Sequence, residues 1–304
     1  MTLVTGSTGF IGSNLVRLLK ADGKAVRALV RDAEKARRIL GPEVDAAVGD
    51  VSDRDSLSRA AEGVDTIIHL VGIIREARGA TFEGIHVRGT ENILAAAVRA
   101  GVRRFVFQSA LGTRPSAAAR YHQTKWRAEE LVRASGLSWT ILRPSLVYGP
   151  GDDFTARLAD VIRLSPAVPV LGSGKSRFQP IYVHDMTACL AGATDDAHAG
   201  RTFEIGGPDV LTLDQIVEEI AQALGRRRSF VHVPFPFVRP AARLFEIFLP
   251  SPPVTVDQLT MLGEDNVCAE NAAPSLVATP LVPFRDGIRR VFSGSAGEIP
   301  ASPV

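Results

Sequence analysis

The stretch Thr2-Leu3-Val4-Thr5-Gly6-Ser7-Thr8-Gly9-Phe10-Ile11-Gly12-Ser13-Asn14-Leu15-Val16-Arg17-Leu18-Leu19 decides how the rest of the chain is read. Leu3-Val4-Thr5 is a short apolar run of strand character, and Leu15, Val16, Leu18 and Leu19 form one apolar face of a following helix. Three glycines stand between them. The first permits a tight turn, the second lets the backbone approach a pyrophosphate, and the third lets helix pack on strand, so the helix N-terminus faces an anion. Gly6, Thr8, Gly9, Phe10, Ile11 and Gly12 are therefore the expected cofactor-binding residues of this loop.

Further along, Val26 to Val30, Val44 to Val48, Thr66 to Leu70, Phe105-Val106-Phe107 and Trp139 to Leu142 repeat the apolar, β-branched pattern at intervals filled by helical stretches. Continuous apolar strands alternating with helices predict a parallel sheet covered on both faces, an α/β doubly wound architecture. Ser52 before Asp53 to Ala61, and Gly101 after Thr90 to Ala100, stand where helix caps belong.

After Gly149-Pro150-Gly151 the alternation breaks down. A helix over Asp153 to Arg163, strands near Val168 to Leu171 and Ile181 to Val183, a helix from Asp185, a helix over Leu213 to Leu224 and a strand near Phe230 to Val233 are expected. The expected division is a dinucleotide-binding domain over 1–150 and a smaller mixed substrate lobe over 151–292, whose returning segments at about 178–206 pack on the main domain. A frayed tail is expected over 293–304. Gly172-Ser173-Gly174-Lys175-Ser176 is not a phosphate loop, because the first glycine of that motif falls on Pro169.

The 304 residues include 45% apolar and 22% charged side chains, which fits a soluble folded protein with a sizeable core. A net charge of +2 excludes a dominant nucleic-acid field, and Arg37-Arg38, Arg103-Arg104 and Arg226-Arg227-Arg228 read as solvated helix ends. Cys189 and Cys268 lack metal-ligand spacing, so no metal is expected and the compartment is reducing. With a strand starting at Thr2 there is no room for a signal peptide, and no apolar run approaches the roughly 20 residues of a membrane span. The expected location is cytoplasmic, with peripheral contact at the inner face of a membrane as an option.

The choice of cofactor turns on the end of the second strand, where an acid holds a ribose 2′-hydroxyl and a base holds a 2′-phosphate. Val30 is followed by Arg31 and then Asp32, and Asp32 also stands where a cap for a helix from Ala33 would stand. Arg31 comes first and Lys35 follows one turn into the helix, so NADP(H) is favoured over NAD(H). Asp50 with Val51 after the third strand, and Val71 and Gly72 after the fourth, occupy carboxyl ends of strands, where ligands of such sheets bind.

Tyr121 and Lys125 stand four apart at the start of a helical stretch, on one face. A phenol of reference pKa about 10 works as an acid or base near neutrality when nearby positive charge stabilises its phenolate. A helix start with an exposed lysine is the bland reading of the pair. Its place after the glycine loop and five strands turns the reading to a reactive site.

Thr5-Gly6 to Gly12, Gly49-Asp50, Gly89-Thr90-Glu91-Asn92, Tyr121 to Lys125 and Arg143-Pro144 to Asp152 together resemble the extended and atypical short-chain dehydrogenase/reductases, which are NAD-dependent epimerase/dehydratase-like proteins of Rossmann fold. His69 to Ile74, Ser109 to Gly112, Pro253 to Leu259 and Glu264 to Val267 resemble more narrowly the branch of the nucleotide-binding accessory subunit of respiratory complex I and its bacterial relatives. The resemblance implies that Tyr121 donates or accepts a proton, that Lys125 activates it and binds the ribose, and that Pro144, Ser145 and Leu146 neighbour the nicotinamide. Where epimerase-like members place a Ser or Thr that polarises the substrate oxygen, this chain has Ala110, with Ser109 before it and Thr113 after it. Ser109 is the expected third catalytic residue or else closes its strand. His86 stands where many members have Asn, as a replacement polar group or an ordinary buried histidine.

In the resembled families the C-terminal lobe closes over the substrate, so Arg177 is expected to meet an anionic substrate group and Asp185 to cap the helix after it. Pro234-Phe235-Pro236-Phe237 leads into Leu244, Phe245, Ile247, Phe248 and Leu249, with Arg239 and Arg243 on a basic side. That segment fits lobe core, the lid of an apolar substrate pocket, or an amphipathic helix on a membrane or partner. The expected function is an NADP(H)-dependent oxidoreductase acting at a carbonyl or hydroxyl carbon of a small substrate of unknown identity, with a hydrophobic one as an option. The alternatives are a nucleotide-stabilised structural or assembly subunit related to respiratory complex I or quinone metabolism, and a nucleotide-sugar epimerase/dehydratase.

Overall fold

The computed structural model describes residues 1–77, 79–249 and 252–293. Seven parallel strands form the central sheet: β1 (Thr2–Thr5), β2 (Val26–Val30), β3 (Asp45–Val48), β4 (Thr66–His69), β5 (Arg104–Gln108), β6 (Ser138–Pro144) and, much later in the chain, β11 (Arg201–Ile205). The spatial order β11-β6-β5-β4-β1-β2-β3 reverses direction between β1 and β4, the doubly wound topology that the alternating pattern predicts. Thr5 lies opposite His69 at this reversal, so the loops leaving β1 and β4 share one crevice.

Helices α1 (Phe10–Ala21), α2 (Ala33–Leu40), α3 (Arg54–Ala61), α4 (Gly89–Arg99) and α5 (Arg120–Arg133) cover the sheet. One face buries Val4, Leu15, Val16, Leu19, Ile68 and Val106; the other buries Leu3, Leu57, Ile67, Ile93, Phe105 and Phe107. Alternate residues of β1, β4 and β5 thus feed opposite cores, which is why these strands read as unbroken apolar runs. Asp53, not Ser52, caps α3, because its carboxylate accepts the amides of Asp55 and Ser56. Before α4 the backbone widens into a π-helical turn over Glu83–Arg88 that carries His86.

Beyond β6 come β7 (Val147–Tyr148), α6 (Asp153–Leu164), β8 (Ala167–Leu171), β9 (Arg177–Phe178), β10 (Ile181–Tyr182) and α7 (Val183–Gly192). After β11 follow β12 (Leu211–Thr212), α8 (Leu213–Ala223), β13 (Ser229–Val233), α9 (Phe235–Phe248), α10 (Val256–Leu262), α11 (Ala273–Leu276) and α12 (Phe284–Phe292). A third core gathers Tyr148, Ile162, Val168, Ile216, Val217, Ile220 and Phe284 from this half. Helix α7 starts two residues before Asp185, whose carboxylate accepts the amide of Val282 and caps nothing. Ser176 is followed by strand β9. The tail expectation falls on 294–304, outside the described residues. No helix among the described residues is long and apolar enough to cross a membrane.

Candidate active site

At the crevice, Gly6 adopts φ +69°, and a Cβ there would stand 3.2 Å from the carbonyl carbon of Leu70. Gly6 therefore allows the β1 loop to lie directly against the β4 loop. A Cβ on Gly12 would overlap the Gly6 carbonyl oxygen and come within 2.8 Å of the Ser7 Cα, so only glycine lets α1 start this close to the strand. The first turn of α1 has no acidic residue, and its N-cap Gly9 offers no side-chain hydrogen bond. Its amides and positive dipole end face the loop without an internal partner, the local chemistry a pyrophosphate requires. Thr8, Phe10 and Ile11 are half-buried around this end.

On the flanks, Asp50 accepts the amide and hydroxyl of Ser52 at 2.9 and 2.7 Å, which fixes the turn after β3. Val51 is buried against Gly89, whose added Cβ would lie 3.0 Å from it. At the end of β2, Asp32 accepts the Lys35 amide at 2.9 Å and caps α2. That amide hydrogen bond, ahead of the other causes, holds its carboxyl below the usual range. Arg31 is exposed and has no carboxylate partner among the described residues.

Helix α5 carries Tyr121 and Lys125. Lys125 is buried, donates to the Gln108 carbonyl at 3.0 Å, and stands 5.1 Å from the Phe107 ring centroid. Burial pushes its ammonium down to about 8, opposed by Glu129. A Cβ on Gly72 would meet Lys125 Nζ at 3.1 Å and His86 Nε2 at 3.6 Å, so the β4 loop, the lysine and the histidine converge on one point. His86 accepts the Ile73 amide on Nε2 at 3.0 Å and pairs through Nδ1 with Thr124 Oγ1 at 2.9 Å. These bonds make it the buried, neutral anchor of the β4 loop. The Tyr121 ring packs edge-on against His86, with centroids 5.4 Å apart, and against Phe82. Burial raises the Tyr121 phenol to about 12, so desolvation outweighs the lysine charge that the four-residue spacing was expected to bring to bear.

Ser109 is buried, and its hydroxyl lies 3.4 Å from Thr113 Oγ1, also buried. Its amide donates to the Leu142 carbonyl, which ties the end of β5 to β6. Pro144 closes β6, and the next residue, Ser145, donates to Asn266 Oδ1 at 2.6 Å. Asn266 in turn donates to the Leu111 carbonyl at 3.2 Å. The Glu264 to Val267 stretch thus returns to the site. Arg177 is paired with Asp265 at 2.6 Å, so the guanidinium expected to meet a substrate anion is already engaged.

Near the start of α5 opens a groove of about 600 Å³, lined by Arg75, Glu76, Phe82 and Arg120 and by Ile247, Phe248, Leu249 and Asp257. Phe82, Arg120 and Asp257 adjoin Tyr121, but the tyrosine itself is not part of the groove's lining. The reading of α9 as lobe core is corrected: of its fourteen residues only Ala242 is fully buried. Sequence reasoning missed Asp257, whose carboxylate accepts the amides of Arg120 and Tyr121. The capping box of Thr255 and Gln258 marked the start of α10, but no local signal pointed from Asp257 to a helix start so distant in sequence.

A family model described as NAD(P)H-binding matches residues 6–158, just over half the chain. The chain belongs to the NAD(P)H-binding short-chain dehydrogenase/reductase family. It is 30% identical over 285 residues to the mitochondrial NADH dehydrogenase (ubiquinone) 1 alpha subcomplex subunit 9 of Arabidopsis thaliana, covering 88% of this chain and 71% of that protein. It is 34% identical over 247 residues to a ceramide reductase of Caulobacter vibrioides, covering 80% and 76%. The NADPH-dependent quinone oxidoreductase of Escherichia coli, solved with NADPH, has the same fold at TM-score 0.77 and 18% identity, covering 96% of this chain and 100% of that one. The family thus includes reductases alongside respiratory-complex subunits, and the glycine loop, with its uncapped α1 and the close approach at Gly12, fits the nucleotide.

Proposed function

We propose that this protein is an NADP(H)-dependent reductase of carbonyl groups on small, largely apolar molecules. The observation that carries the reading is Tyr121 on the same helical face as Lys125, its phenol raised by burial, with its ring against Phe82, which lines a groove together with Ile247, Phe248 and Leu249. The nicotinamide supplies hydride when bound, and Gly6, Gly9 and Gly12 hold its pyrophosphate at the start of α1. Arg31 meets the 2′-phosphate, since Asp32 is engaged as a cap. Asp50, Val51, Val71, Gly72 and Pro144 shape the flanks of the cofactor site.

A phenol with its pKa near 12 is a proton donor across the neutral range. Tyr121 donates to the carbonyl oxygen as the carbon gains hydride, and Lys125 returns a proton to the tyrosinate. Lys125 also holds the nicotinamide ribose, and Ser109, through Thr113, supports the loop carrying Ala110. Arg177, the cation expected to meet an anionic substrate group, is instead paired with Asp265.

A second reading, a nucleotide-stabilised subunit without turnover, has its own support. Ala110 has no hydroxyl, the Ser109 hydroxyl is turned to Thr113, and the chain resembles a respiratory-complex subunit. Following NADPH absorbance during exposure to quinones, long-chain ketones and sugar nucleotides separates the two. Oxidation with an apolar carbonyl or quinone, slowed by about 10²- to 10⁴-fold in Tyr121→Phe while cofactor binding holds, is the expected result. Tight binding in both proteins with no oxidation by any compound establishes the second reading instead.

A further inference from the structure

Helix α9 has two opposite faces. At about 100° per residue, Phe235, Ala242 and Glu246 point the same way. Ala242 is buried, the Phe235 ring fills the space above Gly172 and Gly263, and Glu246 accepts the Val256 amide at 3.0 Å. Phe237, Leu244 and Phe248 line the opposite side, with Ile247 beside them, and are 76, 58, 75 and 73% exposed in that order. The stripe that should be hidden is thus the stripe turned outward.

Cations border it. Arg243 sits on the edge of the stripe beside Ile247, and Arg239, one turn earlier, lies nearer the buried side. Arg75 and Arg157 flank the chain just after the helix and donate to the carbonyls of Pro252 and Pro253. None of the four has a carboxylate partner among the described residues. An apolar stripe edged by unpaired arginines matches an acyl layer edged by phosphate headgroups. A second copy of the chain matches it poorly, because two such stripes would bring arginines together while Glu246 stays engaged on the buried side. The groove lined by Phe82 and Arg120 is walled by the same helix and opens beside the stripe.

We infer that α9 is an interfacial helix that seats the chain on an anionic lipid bilayer, with the mouth of the groove at that surface. The inference concerns binding and holds whether or not the site turns over.

The test is co-sedimentation of the full chain with vesicles of phosphatidylcholine alone and with added phosphatidylglycerol. Partition is expected with the anionic vesicles and to weaken as salt rises. Arg243→Gln lowers it about fivefold, the contribution of one arginine near such a surface. Phe237→Ser with Leu244→Ser abolishes it, while NADPH binding reports that the fold persists. Equal sedimentation with and without vesicles overturns the inference, as does partition unchanged by the double substitution. A concentration-dependent dimer dissolved by that substitution also overturns it, by making the occupant a second copy.

Discussion

The carboxylate of Asp257 accepts the backbone amide of Tyr121 at 3.0 Å and that of Arg120 at 2.7 Å, so α10 caps the helix that carries the tyrosine. The residue before that helix, Ala119, has no side-chain acceptor, and the cap comes from 136 residues further along the chain. A carboxylate at a helix N-terminus satisfies orphan amides and favours the dipole. Asp257→Ala is expected to cost about 1 kcal/mol in urea unfolding. Because the lost bonds lie at Tyr121 itself, kcat should fall more than KM rises, and Asp257→Asn should restore part of the stability. Unchanged kcat in Asp257→Ala would show that α5 keeps its start without α10.

Two buried histidines make the fold sensitive to acid. Burial, with the nearby Lys125 second, pushes His69 down to about 3 and His86 to about 2. The unfolded chain takes up these protons near pH 6.5 while the fold does not, so stability is present above that pH and is lost as pH falls through 6.5 towards 3. His86→Asn removes one such group. It should lower stability at pH 7, because the Ile73 amide loses its acceptor, yet narrow the difference between pH 7 and pH 5 by about 2 kcal/mol. Urea midpoints at the two pH values measure this; an unchanged difference would mean that His86 titrates in the fold as it does in the unfolded chain.

What the sequence disclosed follows the range of the interactions. The glycine loop, the first six strands and the cap at Asp32 rest on neighbours a few residues apart, so composition and spacing reveal them. Strand β11 escaped because Arg201-Thr202-Phe203-Glu204-Ile205 alternates, and its place beside β6 is set by pairing with Thr140 to Pro144, far earlier in the chain. The pairing of Arg177 with Asp265 and the cap from Asp257 are equally distant and carry no local mark. In α9 the apolar pattern was visible but its direction was not: Phe235 and Phe237, two residues apart, face a glycine-lined gap and solvent. Periodicity identifies a stripe, whereas only the fold says what lies under it.

Gly12 sets the approach of α1 to the loop. A Cβ there would overlap the Gly6 carbonyl oxygen, a backbone atom that cannot move aside cheaply, whereas a Cβ on Gly9 would stand 3.2 Å from the same oxygen. Gly12→Ala is expected to displace the start of α1 and weaken NADPH binding by about 10- to 100-fold, the effect of about 1–3 kcal/mol of overpacking. Gly9→Ala should cost less. Fluorescence titration of both variants decides the order, and equal affinities would show that α1 shifts without disturbing the anion site.

Preference between the two nucleotides rests on Arg31 and Asp32, adjacent residues with different engagements. Asp32 is held to the Lys35 amide, and Arg31 projects from the end of β2 without a carboxylate partner among the described residues. A guanidinium meeting a 2′-phosphate forms charge-assisted hydrogen bonds worth about 1.5–3 kcal/mol. Arg31→Ala should therefore weaken NADPH by about 10- to 100-fold and leave NADH nearly unchanged. Asp32→Ala should lower stability slightly through the lost cap and leave the NADH affinity in place. Calorimetric titration of both nucleotides against both variants checks the pair. If Asp32→Ala instead weakens NADH while Arg31→Ala weakens the two nucleotides equally, Asp32 holds a ribose hydroxyl and the preference runs to NAD(H).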